Sequence, residues 1–138
     1  MLIEKNVLLQ NNLVELETLA SLIEAFAEQA AIDLKTQFQL NLALDELFTN
    51  IVKYGYNDND LHQIEITLKY AKPILSIKLV DDGKAFDPTQ RNKPELTATI
   101  EERNIGGLGI HFVATVMDTM EYCRLDNYNH LLLEKKVI

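Results

Sequence analysis

The chain has 138 residues, of which 47% are hydrophobic and 25% are charged, as in ordinary globular proteins. This length predicts a single domain over residues 1–138, because a domain usually holds roughly 100–200 residues. The 21 acidic residues outnumber the 13 basic ones and give a net charge of −8. This balance argues against direct binding of nucleic acid, and the scattered Lys and Arg residues form no basic patch for a membrane surface.

The sequence also lacks the usual marks of export. No segment approaches the ~20 apolar residues that span a membrane, and residues 1–10 lack the basic, apolar and small-residue order of a signal peptide. The single cysteine, Cys123, cannot form an internal disulfide. We therefore expect a cytoplasmic protein.

The first half of the chain predicts one strand and two helices. Residues 2–10 alternate in part before two asparagines, which favours an edge strand. Apolar residues recur at helical spacing from 13 to 30 and indicate an amphipathic helix. A second helix is expected to begin after Asp33, a typical N-cap residue, and to run to about Tyr54, where Gly55 ends it.

The second half predicts a β-hairpin, a long loop, a short helix and two more strands. Apolar residues alternate with polar ones over 64–68, and a second strand at 74–80 is close enough to pair with the first. Residues 87–105 contain two prolines and seven charged residues, which is typical of a functional or disordered loop. The later elements are a helix at 110–117 and strands at 119–125 and 131–137, with a turn at 127–130. This order predicts an α+β fold with helices on one face of a mostly antiparallel sheet.

Glu46 and Asn50 lie four residues apart in the second predicted helix and therefore share one face. A carboxylate beside a half-buried amide could hold a hydrated Mg²⁺ ion, since that ion prefers oxygen ligands. The same carboxylate could deprotonate an incoming hydroxyl group. A local hydrogen bond on an exposed helix face also explains the pair.

Asp81 and Gly83 follow the second strand of the hairpin in the order Asp-x-Gly. A carboxylate at this point could accept a hydrogen bond from an exocyclic amine such as that of adenine. The glycine would let a flat ring approach the backbone closely. Ordinary turn chemistry explains the same residues.

A glycine cluster, Gly106-Gly107-Leu108-Gly109, precedes the third predicted helix. Glycines free the backbone to direct N–H groups at an anion, and a helix N-terminus adds partial positive charge. The spacing fits neither a P-loop nor a dinucleotide fingerprint, and such a cluster is also typical of a flexible joint. Together, however, the three motifs and the long loop would each supply a different part of a nucleotide site: metal and base, adenine, phosphates and lid.

In this order the motifs resemble those of the GHKL-type ATPases, and within them the bacterial anti-sigma factor serine kinases. The N-box resembles ALDELFTNIVKYGY at 43–56, the first glycine box VDDGKAFDP at 80–88, and the second GGLGIHFV at 106–113. The resemblance implies a Bergerat fold, a two-layer α/β sandwich with helices on one face of the sheet. Residues 87–105 would then form a lid over ATP.

The resemblance also implies a role for each motif residue. Asn50 would coordinate Mg²⁺, and Glu46 would be the general base. Asp81 would bind the adenine amino group in a pocket that Gly83 shapes. The phosphates would lie against the second glycine box, formed by Gly106, Gly107, Leu108 and Gly109.

The implied function is that of a serine/threonine kinase that uses ATP and Mg²⁺. Such kinases phosphorylate a STAS-domain antagonist, also bind a sigma factor, and are commonly homodimers. One alternative is an ATP-dependent binding module with weak or no catalysis, and another is an adaptor that binds no nucleotide. Ala85 departs from the family pattern, where many members have glycine, and Arg91, Lys93 and Arg103 are candidate contacts to the γ-phosphate.

Overall fold

The computed structural model describes residues 1–90 and 107–137, which hold five strands and three α-helices. Short 3₁₀ segments lie at Leu13–Glu15 and Pro88–Gln90. The predicted α+β fold is confirmed. In chain order the elements are β1 (Leu2–Gln10), α1 (Leu16–Ala30), α2 (Leu34–Tyr54), β2 (Gln63–Ala71), β3 (Ile74–Asp81), α3 (Gly107–Val116), β4 (Thr119–Leu125) and β5 (Tyr128–Lys136).

All strand pairs of the sheet are antiparallel, in the order β1-β2-β3-β5-β4. β1 is an edge strand, as the sequence predicted, and β2 and β3 form the expected hairpin. Strand residues alternate between two environments because successive side chains point to opposite faces. One face is buried with the helices in a single core, through residues that include Ile64, Ile66, Leu68, Leu75, Ile77, Leu79, Leu131 and Leu133.

The helix α2 begins and ends where the sequence predicted. The Asp33 side chain caps it by accepting a hydrogen bond from the Thr36 backbone N–H at 2.9 Å. Gly55 follows its last residue with a φ of −79°, so it is not a left-handed cap. Glycine is required there for space, because a Cβ would lie 2.6 Å from the Ile51 carbonyl oxygen. Among the described residues, no helix is both long enough and apolar enough to cross a membrane.

The turn predicted between the last two strands was placed too late in the chain. The turn residues are Asp126 and Asn127, with φ of 52° and 68°, and β5 begins directly afterwards at Tyr128. Two consecutive left-handed residues match the twist of the flanking strands, and Asp and Asn adopt that conformation more readily than most residues. Asn129 therefore lies in a strand instead of a turn. The helix α3 also begins earlier than predicted, at Gly107, so its first turn contains part of the glycine cluster.

Candidate functional site

A cavity opens between α2, the end of β3, the start of α3 and the β4–β5 hairpin. Its walls are largely apolar and include a few polar side chains, which is typical of a small-molecule site. Asn50 from α2 lines it together with Asp81 from β3, although they are 31 positions apart in the sequence. The apolar lining residues include Leu47, Ile51, Leu79, Ile110 and Leu131.

Glu46 and Asn50 are joined, as their spacing predicted. The Asn50 Nδ2 group donates to Glu46 Oε1 at 3.2 Å, and both side chains are half-buried. The bond uses the nitrogen of the amide, and the Asn50 carbonyl oxygen accepts no hydrogen bond from the residues that the structure describes. A hard cation such as Mg²⁺ selects an oxygen of this kind, so the donor set fits that ion.

Gly109 lies directly against Glu46, which brings the second glycine box next to that carboxylate. A Cβ at residue 109 would overlap the Glu46 carboxylate. Any larger residue there would have to displace that side chain. The first turn of α3 and the middle of α2 are therefore packed around one carboxylate, although the two segments are more than 60 residues apart in the sequence.

Asp81 is a buried residue of the cavity wall, with only 6% of its surface exposed. Its Oδ1 atom accepts hydrogen bonds from the Gly83 backbone N–H and from Asn129 Nδ2, each at 2.9 Å. Burial raises the pKa of the Asp81 carboxyl above its usual value, while these two hydrogen bonds act in the opposite direction. A buried carboxylate with one oxygen already engaged is suited to recognise a donor group on a ligand.

Gly83 lies two residues after Asp81, at a position where the neighbouring backbone leaves no room for a side chain. A Cβ there would lie 2.8 Å from the Gly55 carbonyl oxygen and 2.9 Å from Asp81 Oδ1. The same Gly55 carbonyl accepts a hydrogen bond from the Lys84 backbone N–H at 2.8 Å. The glycine therefore lets the loop after β3 dock on the end of α2, and the approach of a ligand ring is not needed to explain it.

Three polar residues of the β4–β5 hairpin complete the site, and sequence reasoning missed them. Asn129 contacts Asp81, while Tyr122 and Arg124 both donate to Asn129 Oδ1. The Asn and Asp residues around Asn129 favour a turn in the sequence, which hides its place in a strand. One feature of the sequence could have indicated these residues. Tyr122 and Arg124 are two positions apart in β4, so their polar groups lie on the same face of the sheet.

His62 holds the loop between α2 and β2 close to Asp81. Its imidazole lies 2.8 Å from Asp58 and 3.0 Å from Asp82, and its ring stacks on Tyr56 with centroids 4.2 Å apart. Hydrogen bonds to Asp82 and Asp58 raise the pKa of His62. This contact links the loop to the residue that directly follows Asp81.

Other predicted residues are only partly covered. Gly107 and Leu108 lie in the first turn of α3, whereas Gly106 is outside the described residues. Most of the predicted lid, residues 91–105, is outside them too, including Arg91, Lys93 and Arg103. Of the lid's start, the Pro88–Gln90 turn is described, and Pro88 lines the cavity.

Comparison with known proteins agrees with the motifs. Residues 9–135 match the model of the histidine kinase-like ATPase domain. Serine/threonine-protein kinase BtrW of Bordetella bronchiseptica is 32% identical over 99 residues, which are 72% of this chain and 70% of that protein.

Two further relatives are named serine-protein kinase RsbW. The protein of Bacillus velezensis is 27% identical over 86 residues, which cover 59% of this chain and only 54% of the relative. That of Listeria monocytogenes is 26% identical over 103 residues, which cover 72% of this chain and 66% of the relative. The family expected from the three motifs is therefore confirmed, and the chain belongs to the histidine kinase-like ATPase domain family.

Proposed function

We propose that this protein is a serine/threonine kinase of the anti-sigma type that uses ATP and Mg²⁺, with one ATP-binding domain over residues 1–138. The observation that carries the proposal is that Asn50, which is bonded to the half-buried carboxylate of Glu46, lines one cavity together with the buried carboxylate of Asp81. The relatives named as protein kinases support it.

The proposal assigns ATP to the cavity with its base against Asp81. The Oδ2 atom of Asp81 accepts no hydrogen bond from any residue that the structure describes, so it is available to the adenine amino group. The phosphates would extend toward the first turn of α3, where Gly107 and Gly109 offer backbone N–H groups at a helix N-terminus. Residues 87–105 would cover them as a lid.

Asn50 would hold Mg²⁺ through its carbonyl oxygen, which the bond from its amide nitrogen to Glu46 orients. The bound ion would neutralise charge on the phosphates. Glu46 would accept the proton of the attacking serine or threonine hydroxyl. The hydroxyl oxygen then bonds the γ-phosphorus as the bond to the β-phosphate oxygen breaks, which leaves ADP.

The resemblance directs the choice of partners. We propose that the phosphate acceptor is a STAS-domain antagonist protein and that a sigma factor is a second partner, both in the cytoplasm. The matched segment covers between 54% and 70% of the relatives described above, so these partners are proposed for the whole protein on family grounds.

We also propose a homodimer that uses the edge strand β1 and the start of α1. Leu2 and Leu8 on β1 are 54% and 56% exposed, and Val14 before α1 is 66% exposed. An unpaired strand edge with exposed apolar side chains is suited to pairing with a second chain. Light scattering should then give twice the molar mass of one chain, and a monomeric mass would contradict the dimer.

Calorimetric titration with ADP and with a non-hydrolysable ATP analogue, with and without Mg²⁺, tests the nucleotide site. We expect binding that depends on Mg²⁺ and a loss of that dependence in Asn50→Ala. Asn41→Ala is the matched control, because Asn41 is an asparagine of the same helix that does not line the cavity. Absence of binding under all conditions would favour the adaptor that binds no nucleotide.

Transfer of radiolabelled phosphate from ATP to purified STAS-domain proteins of the same organism tests the kinase assignment. Glu46→Ala should retain ATP binding and lose roughly 10²–10⁴-fold in transfer rate, the usual contribution of a general base. Asp45→Ala, which removes the neighbouring carboxylate of α2, should transfer normally. Tight binding without transfer by the wild type would favour the alternative of an ATP-dependent binding module.

A further inference from the structure

Asn129 is a buried polar side chain whose hydrogen-bonding capacity is used entirely by the protein. It is 7% exposed, and it lies opposite Asp81 in the pairing of β5 with β3. Its Nδ2 donates to Asp81 Oδ1 at 2.9 Å and to the Lys84 carbonyl at 3.0 Å. Its Oδ1 accepts from Tyr122 Oη and from Arg124 Nη1.

An asparagine amide offers two donors and two acceptor lone pairs, and here all four have partners. Asn129 therefore has no group left for a ligand, although it lies in the cavity wall. The orientation of the amide is also determined, since the opposite orientation would direct its oxygen at the Asp81 carboxylate. Its polar atoms therefore act on a ligand through the groups that they bond, foremost the Asp81 carboxylate.

The contact assigns different tasks to the two oxygens of Asp81. Asn129 and the Gly83 N–H together engage Oδ1 and fix the plane of the carboxylate. The other oxygen, Oδ2, is left as an acceptor without a bond from the described residues. A fixed acceptor of this kind favours a ligand with an amino group over one that lacks it, because loss of the donor leaves a buried charge unpaired.

Arg124 extends this support to the edge of the sheet. Its Nη1 donates to the Gly83 carbonyl at 2.7 Å and to Asn129 Oδ1 at 3.1 Å, so it joins the loop after β3 to the β4–β5 hairpin. Hydrogen bonds linked in this way strengthen one another. The edge strand β4 is thereby coupled to the carboxylate that faces the cavity.

We infer that Asn129 is a positioning residue, which with Arg124 holds Asp81 in the orientation that discriminates 6-amino purines from purines without that group. This inference rests on the proposed function, since it takes ATP as the ligand. It goes further by locating the discrimination in the β4–β5 hairpin, outside the three sequence motifs.

The experiment compares dissociation constants for ATP and for purine riboside triphosphate, which lacks only the 6-amino group. The wild type should prefer ATP by roughly 10-fold or more, as expected for one hydrogen bond to a charged group. Asn129→Leu keeps the branched shape of the side chain and removes its polar atoms. In this variant the dissociation constants of ATP and the analogue should become nearly equal, because Asp81 is no longer held as an acceptor for the amino group.

Tyr70→Phe serves as the structural control, because it removes one buried hydrogen bond from the same sheet, 2.9 Å to the Val137 carbonyl. A general loss of stability would affect both nucleotides alike in either variant. If Asn129→Leu keeps the preference for ATP, the inference is wrong. If the wild type binds neither nucleotide, the proposed function itself fails.

Arg124→Met supplies a second test should Asn129→Leu not fold, because residue 124 lies on the exposed edge strand. It should lower the preference for ATP by several-fold. An unchanged ratio in this variant would contradict the coupling of β4 to Asp81.

Discussion

The Asp81 and Glu46 ends of the candidate site differ in how many of their polar groups are bonded by residues that the structure describes. At the Asp81 end, two buried side chains that are 6% and 7% exposed share a network with Gly83, Tyr122 and Arg124. At the Glu46 end, one bond of 3.2 Å joins two half-buried side chains. Under the proposed function, the folded chain itself holds the acceptor for the nucleotide base in place, whereas the proposed catalytic pair keeps oxygens that no described residue bonds. Catalytic hydrogen bonds are often long before substrate binds.

The largest effect that separates the two ends is expected from Gly109→Ala. The added methyl group would displace the Glu46 carboxylate, and a shift of about 1 Å in a catalytic group can lower the rate by roughly 100-fold. Alanine is also a better helix former than glycine by about 1 kcal/mol, so the free energy of unfolding should not fall. Phosphate transfer and thermal unfolding, measured on the same sample, test the two directions.

The control for this prediction is the same substitution in a chain that lacks the base. In Glu46→Ala, the further change of Gly109 to Ala should lower transfer little, since there is no carboxylate left to displace. An equal loss in both backgrounds would show that Gly109 acts on something other than Glu46.

A smaller effect on ATP affinity is expected when the pH is lowered, and it involves only the Asp81 end of the site. Burial raises the pKa of Asp81, so this group takes up a proton at a higher pH than an ordinary aspartate. A protonated Asp81 loses its charge as an acceptor, and the affinity for ATP should fall as pH falls through that raised pKa. The contribution of Asp81 to stability changes in the opposite direction, because protonation removes the penalty for burying its charge.

Titrations of ATP at several pH values, beside the Asp81→Asn variant, isolate this group. The variant should bind more weakly throughout and lack the wild type's additional loss at low pH, since an amide does not titrate there. Any pH effect shared by the two proteins belongs to the nucleotide or to other residues. If the two profiles are parallel, Asp81 is not the titrating acceptor.

The smallest effect is expected at Ala85, the residue where the first glycine box departs from the family pattern. Ala85 lines the cavity but is exposed, so its methyl group is at the rim. Ala85→Gly should change the dissociation constant for ATP by about 2-fold or less, as for most surface substitutions. A 10-fold gain in ATP affinity would instead show that the methyl group obstructs the adenine ring.

The parts that sequence reasoning predicted well depend on neighbours in the chain. The alternation at Ile64, Ile66 and Leu68 predicts a strand, and Asp33 marks the start of α2, since both signals are local. The contact of Asn129 with Asp81 is set by the pairing of β5 with β3, between residues 48 positions apart. Gly83 and Gly109 must likewise be glycines because a Cβ would collide with Gly55 and Glu46, respectively. No pattern of neighbouring residues in the sequence reveals these contacts.

The register of the last hairpin has a practical consequence for labelling. Cys123 lies between Tyr122 and Arg124 in β4, and its thiol is free and exposed. Because alternate residues of a strand point to opposite faces, this thiol projects away from the side chains that contact Asn129. A fluorophore attached to it would occupy the sheet face opposite the cavity. As the chain's one cysteine, it gives a single reporter on β4 without a further substitution.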